Sequence, residues 1–233
     1  MPQGWSRLVA LLDGRPDADP MRRARRLCQL GVETVGVTGA SLGIISHENR
    51  STVCATDEVS ERLEDLQLTF SEGPSVDAVR DGMAVSVPDL SDAWDARWPW
   101  YTPAALEAGA RAVFAFPVQV GAIRLGSLTF YRVSSGALGP DRAKDARALA
   151  DAAAVLFSVG TGANTAEAFV WAMDDQSRFR AEVHQAVGST MVELGVDARQ
   201  AFALMRAYGF TAGRPIAEVA ADIMCKRLRL GPD

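Results

Sequence analysis

The sequence predicts an α+β chain: an antiparallel sheet with flanking helices, followed by a long helix that leads into an all-α module of three helices. Three observations carry this expectation. VFAFPVQV from Val113 and RLGSLTFY from Arg124 are rich in aromatic and β-branched residues and meet at Gly121, which is the pattern of a hairpin. Segments with apolar residues at three- and four-residue spacing lie before and after that hairpin. The last quarter of the chain, from Arg180 to Leu230, carries three such stripes separated by Gly195 and Gly213.

Taken in order, MRRARRLCQLGVETVGV from Met21 places Leu27, Leu30 and Val35 on one side of a helix behind a basic start. Strands are expected at Ser41 to Ser46 and Thr52 to Ala55, with the polar stretch His47 to Arg50 as the turn between them. Ser60 to Leu68 suits a short helix. The chain then turns at Gly73-Pro74 into another helix within EGPSVDAVRDG, and Ala84 to Val87 reads as a strand closed by Pro88. A Trp-rich loop and a helix over Ala104 to Ala108 precede the hairpin. Asp141 to Phe157 follows it, a helix whose Ala146, Leu149, Ala153 and Leu156 cover the sheet. GTGANT, residues 160–165, is expected to be a hinge, and Asn164 with Glu167 a helix start.

The helix expected from there carries Phe169, Met173, Phe179, Val183, Val187, Met191 and Leu194 as a stripe that packs on a second copy or on its own domains, and Gly195 stops it. Asp197 and Gln200 form a capping-box signature, after which Ala201, Leu204, Met205 and Tyr208 repeat the helical spacing. Gly213 breaks the chain. Pro215 fits a first helical turn, where its missing N–H is not needed, ahead of Ile216, Val219, Ala220 and Ile223.

The chain of 233 residues is long enough for one medium and one small domain. No apolar run approaches the roughly 20 residues that cross a bilayer, and MPQGWSRLVALLDGRP has too short an apolar stretch for a secretory signal, so a cytoplasmic location without membrane contact is expected. Cys28, Cys54 and Cys225, with His47 and His184, show no zinc spacing; no metal site is expected, and each cysteine reads as a small buried apolar residue. Net charge is −5, with −7 in residues 1–177 and +2 in residues 178–233, which makes the tail the side suited to a polyanion. No nucleophile, base and orienting group form an enzyme motif, and no phosphate-loop pattern occurs, so no catalytic residue is assigned.

The C-terminal pattern resembles the ANTAR domain, a bacterial RNA-binding module of transcription antitermination. The matching positions are Ala186, Gly188 and Met191, then Ala201, Leu204, Arg206 and Tyr208, then Val219 and Ala220. Many members carry Lys between that Ala and Gly, where this chain has Val187, so one RNA-facing charge is absent. The order of elements before it, with EGPSVDA, RWPWY, AVFAFPVQV and RLGSLTFYR, resembles GAF domains fused to ANTAR modules. The two resemblances imply a GAF-like sensor over residues 20–158, a helical linker over 159–178 and an ANTAR module over 179–230. They further imply a dimeric protein.

RNA recognition needs cations for phosphate and small or polar groups where an unpaired base approaches. Arg178, Arg180, Arg206, Arg214, Lys226 and Arg227 are the candidate cations; Gln185, Gly188 and Ser189 are the candidates for close approach and hydrogen bonding, although Gly188 equally fits close helix packing. In the sensor, Trp94, Trp98, Trp100 and Tyr101 suit either the wall of a small-molecule pocket or the cap of a core, and Ser75 follows the Gly-Pro turn where related domains often carry Cys. No cofactor is identified by the sequence.

The reading is a cytoplasmic homodimeric regulator whose sensor controls binding of hairpins in leader transcripts. A rival reading keeps the GAF domain as a ligand or redox sensor and gives the helical tail to dimerisation or protein contact, without RNA activity. A DNA-binding repressor is a third, in which the last two helices imitate a helix-turn-helix; the lack of a tight turn between them speaks against it.

Overall fold

The computed structural model describes residues 20–46, 49–92, 97–158 and 178–230. The hinge at 160–165 and nearly all of the linker helix, with Phe169 and Met173 on its stripe, lie outside the described residues, as do His47 and Trp94.

A five-stranded antiparallel sheet is the frame of the N-terminal part. Its strands are β1 Gly39–Ser46, β2 Asn49–Ala55, β3 Val85–Val87, β4 Ala112–Val120 and β5 Ile123–Arg132, in the spatial order β2-β1-β5-β4-β3. The expected hairpin is β4–β5, paired from Ala112↔Arg132 to Val120↔Ile123, with Gly121 at φ +58° in its turn. β-Branched and aromatic residues hold this pair because successive side chains reach opposite faces and each face is covered. In the first hairpin, Asn49 and Arg50 belong to β2 rather than to the turn, since Ser46 pairs with Asn49.

Alternation divides the sheet into two unlike faces. Ala40, Leu42, Ile44, Phe114, Phe116, Leu128 and Phe130 point to one side, where helices α1 Pro20–Val35 and α5 Pro140–Ser158 supply Leu27, Cys28, Ala146, Leu149 and Phe157. Gly31 lets α1 lie directly on the sheet: a Cβ there would stand 2.7 Å from the Phe130 ring. On the other side the strands present Ser41, Gly43, Val113, Ser127, Thr129 and Tyr131, under α2 Glu58–Phe70, α3 Pro74–Asp81 and α4 Tyr101–Glu107. Leu63, Leu66, Phe70, Leu90, Trp98, Tyr101 and Ala105 form a second core at one end of that face.

The start of α2 is set by Asp57, whose carboxylate accepts the Ser60 N–H at 2.7 Å. Gly73, at φ +126°, precedes Pro74 at the first turn of α3; a Cβ there would meet Gln67 at 2.7 Å, so the turn requires glycine twice over.

The C-terminal module consists of α6 Arg178–Leu194, α7 Ala198–Ala212 and α8 Ile216–Met224. Asp197 and Gln200 make both hydrogen bonds of the expected capping box, and Gly213, at φ +63°, ends α7. Pro215 is one place earlier than expected: it is the N-cap of α8, in extended conformation, because its φ suits either position and its ψ of 150° excludes the helix. Ala186, Val187, Ala201, Met205, Ile216, Val219, Ala220 and Ile223 close the core. Leu204, expected on the apolar stripe, is 40% exposed; three helices of this length leave no partner for the flank of α7 on which it lies.

The module docks on the N-terminal domain through the end of α2. Phe210 of α7 meets Phe70 edge-on with centroids 6.1 Å apart and Trp100 at 5.1 Å. Leu68 packs against the C-terminal core, and Arg62 pairs with Glu218 at 2.9 Å.

Candidate RNA interface and sensor cleft

Helix α6 brings Gln185, Gly188, Ser189 and Val192 to one face, at three- and four-residue spacing. Gln185 and Ser189 are exposed, Val192 is 87% exposed, and no atom stands within 4 Å of a Cβ built at Gly188. Among the described residues, close packing against another helix therefore does not explain Gly188. Val187 points the other way and is buried in the three-helix core, so the position that carries Lys in many related modules serves packing here.

The expected cations divide into three groups. Arg178 and Arg180 lie in the first turn of α6, but their side chains are outside the described part of the structure. Arg206 and Lys226 are exposed and take part in no ion pair among the described residues. Arg214 and Arg227, in contrast, are both held by Asp222, at 2.6 and 2.8 Å, and Arg214 also reaches Glu218 at 3.3 Å. These contacts raise the Arg214 pKa, chiefly through the Asp222 hydrogen bond, and Arg214 followed by Arg227 holds the Asp222 carboxyl below its ordinary value. Arg214 and Arg227 thus share one carboxylate, Asp222, and would have to give up that pairing in part to reach phosphate.

In the N-terminal domain, the Trp-rich loop has two fates. Trp98 and Tyr101 are 1% and 0% exposed, packed edge to face at 6.2 Å, with the Trp98 Nε1–H donating to Asp77 and Arg97 stacked over the indole. As walls of an open pocket these two residues give way to core packing, because the loop folds inward to cover α2 and β4. Trp100 remains 49% exposed and turns to Phe210. Glu72 fixes the loop by accepting the backbone N–H groups of both Trp100 and Tyr101. Ser75 is fully buried at the start of α3, its N–H donating to Gln67 Oε1 at 2.7 Å.

The cleft that the structure does show lies between β1, β5 and α2, lined by Gly43, Ile44, Ile45, Ser51, Thr52, Glu64, Leu68, Gly126 and Ser127. Its accessible lining is mostly apolar, with Ser51, Thr52, Glu64 and Ser127 as its polar members. Glu64 is buried there and accepts from Ser41 Oγ at 2.9 Å. Deeper along the same layer, Gln67 Nε2, Thr129 Oγ1 and Tyr101 Oη have no hydrogen-bond partner. Burial, with the Glu64 charge second, pushes the Tyr101 phenol far up, so it stays a neutral donor. None of Ser41, Glu64, Gln67, Ser127 or Thr129 was singled out from the sequence, although Ser127 and Thr129 alternate with Leu128 and Phe130 and so announce a polar inner face.

Among the described residues no cluster of His, Cys, Asp and Glu is arranged for a metal ion, and no helix is long and apolar enough to cross a membrane.

Residues 173–224 match the family profile of the ANTAR domain. The N-terminal fold is similar to the GAF domain of a phosphoenolpyruvate-protein phosphotransferase from Coxiella burnetii, at 15% identity and TM-score 0.52, over 66% of this chain and 90% of that one. The corresponding domain from Acinetobacter gives 11% identity and TM-score 0.51, over 66% and 89%. At this identity the likeness is one of fold. No curated protein matches the chain in sequence.

Proposed function

We propose that this chain, in which a GAF fold precedes an ANTAR domain, is a non-enzymatic cytoplasmic regulator that binds hairpins in leader transcripts and favours antitermination. The observation that carries the reading is the open face of α6. Gln185 and Ser189 offer hydrogen bonds beside a Gly188 that no described residue covers, within the segment that matches the ANTAR family. An unpaired base approaches a backbone without a side chain most closely, while exposed Arg206 and Lys226 are available to phosphate. Val192, bare on the same helix, supports a homodimer.

A signal that shifts α2 would reach the RNA module along one helix. Glu64 and Leu68 of α2 line the cleft, and the same helix holds the RNA module through Leu68, Thr69 and Phe70. A small molecule that binds one position of α2 better than another shifts the docking equilibrium by its difference in affinity.

Gly188→Ala separates fold from function. The added methyl meets nothing and replaces a helical glycine, so stability is expected to hold or rise by about 0.5–1 kcal/mol. Affinity for a paired-hairpin leader is expected to fall. Titrations of that leader, of a version with scrambled loops and of duplex DNA across a salt series complete the test. Indifference to loop sequence, or tighter binding of duplex DNA, contradicts the reading.

A further inference from the structure

Cys28 of α1 and Cys54 of β2 lie 26 positions apart in the sequence, yet their sulfurs are 3.1 Å apart. Both are free thiols, and the pair sits on the α1 and α5 face of the sheet, away from the cleft. The separation exceeds a disulfide bond by about 1 Å. Cys54 is 7% exposed on β2, an edge strand, whereas Cys28 is wholly enclosed.

We infer that Cys28 and Cys54 are a modification site, a dithiol that peroxide converts reversibly to an intramolecular disulfide. The Cys54 sulfur, nearer the surface, attacks one oxygen of hydrogen peroxide and gives up its proton. The O–O bond breaks, the sulfur becomes a sulfenic acid, and the departing hydroxide takes the released proton as water. The Cys28 sulfur then attacks Cys54 Sγ. The S–S bond forms, the S–O bond breaks, and a second water leaves with the Cys28 proton. Two thiols lose two electrons, and one peroxide becomes two waters.

The hydrogen bond to Cys54, then burial, pushes the Cys28 thiol well up, and with its full enclosure this makes Cys54 the sulfur that meets peroxide first. A partner thiol in contact captures the sulfenic acid before further oxidation. The bond ties α1 to β2, and α1 packs on α5, the last element before the chain leaves the sensor.

The site does not rest on the RNA reading, and its test reads sulfur alone. Cys225 is exposed and is first replaced, as Cys225→Ser, to remove competing intermolecular bonds. After peroxide treatment, the intact protein is expected to lose about 2 Da, the two thiol hydrogens. Digestion should yield a peptide pair joined at Cys28 and Cys54 that separates with dithiothreitol. In Cys28→Ser the same treatment should instead leave Cys54 as a sulfenic acid trapped by dimedone, or as higher acids. The inference is overturned if both cysteines remain alkylatable after treatment and denaturation, or if each gains oxygen without a crosslink in the Cys225→Ser protein.

Discussion

Thr69 Oγ1, at the end of α2, accepts the backbone N–H of Ile216 at 3.0 Å while its own hydroxyl donates to the carbonyl of Asp65 at 2.7 Å. The N-cap of α8 is Pro215, which has no side-chain acceptor to offer the first N–H groups of that helix. A residue almost 150 positions earlier therefore performs the capping, and the end of α2 becomes part of the third helix of the C-terminal module.

Thr69→Val is expected to leave the buried Ile216 N–H without an acceptor at a cost of about 1–3 kcal/mol. Thr69→Ser should keep most of the stability. Hydrogen exchange at the first turn of α8, with urea denaturation, reads the difference; equal protection in both variants would refute the cap.

Gly209→Ala is expected to destabilise although alanine is the better helix residue. A Cβ at position 209 would stand 2.7 Å from the carbonyl of Arg214 and 3.3 Å from Thr69 Cγ2. Helix propensity favours the change by about 0.5–1 kcal/mol, and overpacking against backbone costs about 1–3 kcal/mol. A lowered melting temperature and weakened docking are the outcomes to measure.

Trp98→Ala and Trp100→Ala should differ in kind. The first empties a core position and removes the indole N–H from Asp77, which keeps its ion pair with Arg80, at about 3–5 kcal/mol. The second removes a half-exposed ring whose neighbour is Phe210, so the sensor should stay folded while the module comes loose. Limited proteolysis between the domains, compared with near-ultraviolet circular dichroism, distinguishes the two.

Asp222→Asn should increase RNA affinity. It frees Arg227 and leaves Arg214 with Glu218 alone, and each guanidinium that finds a phosphate adds roughly 0.7 to the salt slope. The sign of the pH effect is equally defined. The Asp222 pKa is depressed in the folded state, so its contribution to stability is present above the ordinary carboxylate value of about 3.9 and disappears as pH falls through the lower folded value. The Asn variant should lack that acid-side loss. An unchanged salt slope would show that neither arginine reaches RNA.

Local chemistry in the sequence was enough to determine the β4–β5 hairpin, the capping box at Asp197 and the three stripes of the C-terminal module. Each of these signals is spelled by residues within a few positions of one another, where periodicity and hydrogen-bond reach act directly. The alternation of Ser127 and Thr129 with Leu128 and Phe130 also fixed which strand positions share a face, though not that Glu64 would sit over the polar one.

Tertiary structure alone decided the rest. Trp98 and Trp100 are two residues apart in one loop, and only the packing of that loop against α2 buries one and hands the other to Phe210. Arg206 and Arg214 are alike as letters, yet a carboxylate on α8 compensates the second and leaves the first exposed. Cys28 and Cys54 looked like two isolated apolar residues until the sheet edge brought β2 beneath α1. In each case the outcome depends on a neighbour supplied by a distant part of the chain, and burial, charge compensation and sulfur contact are properties of such neighbours rather than of local sequence.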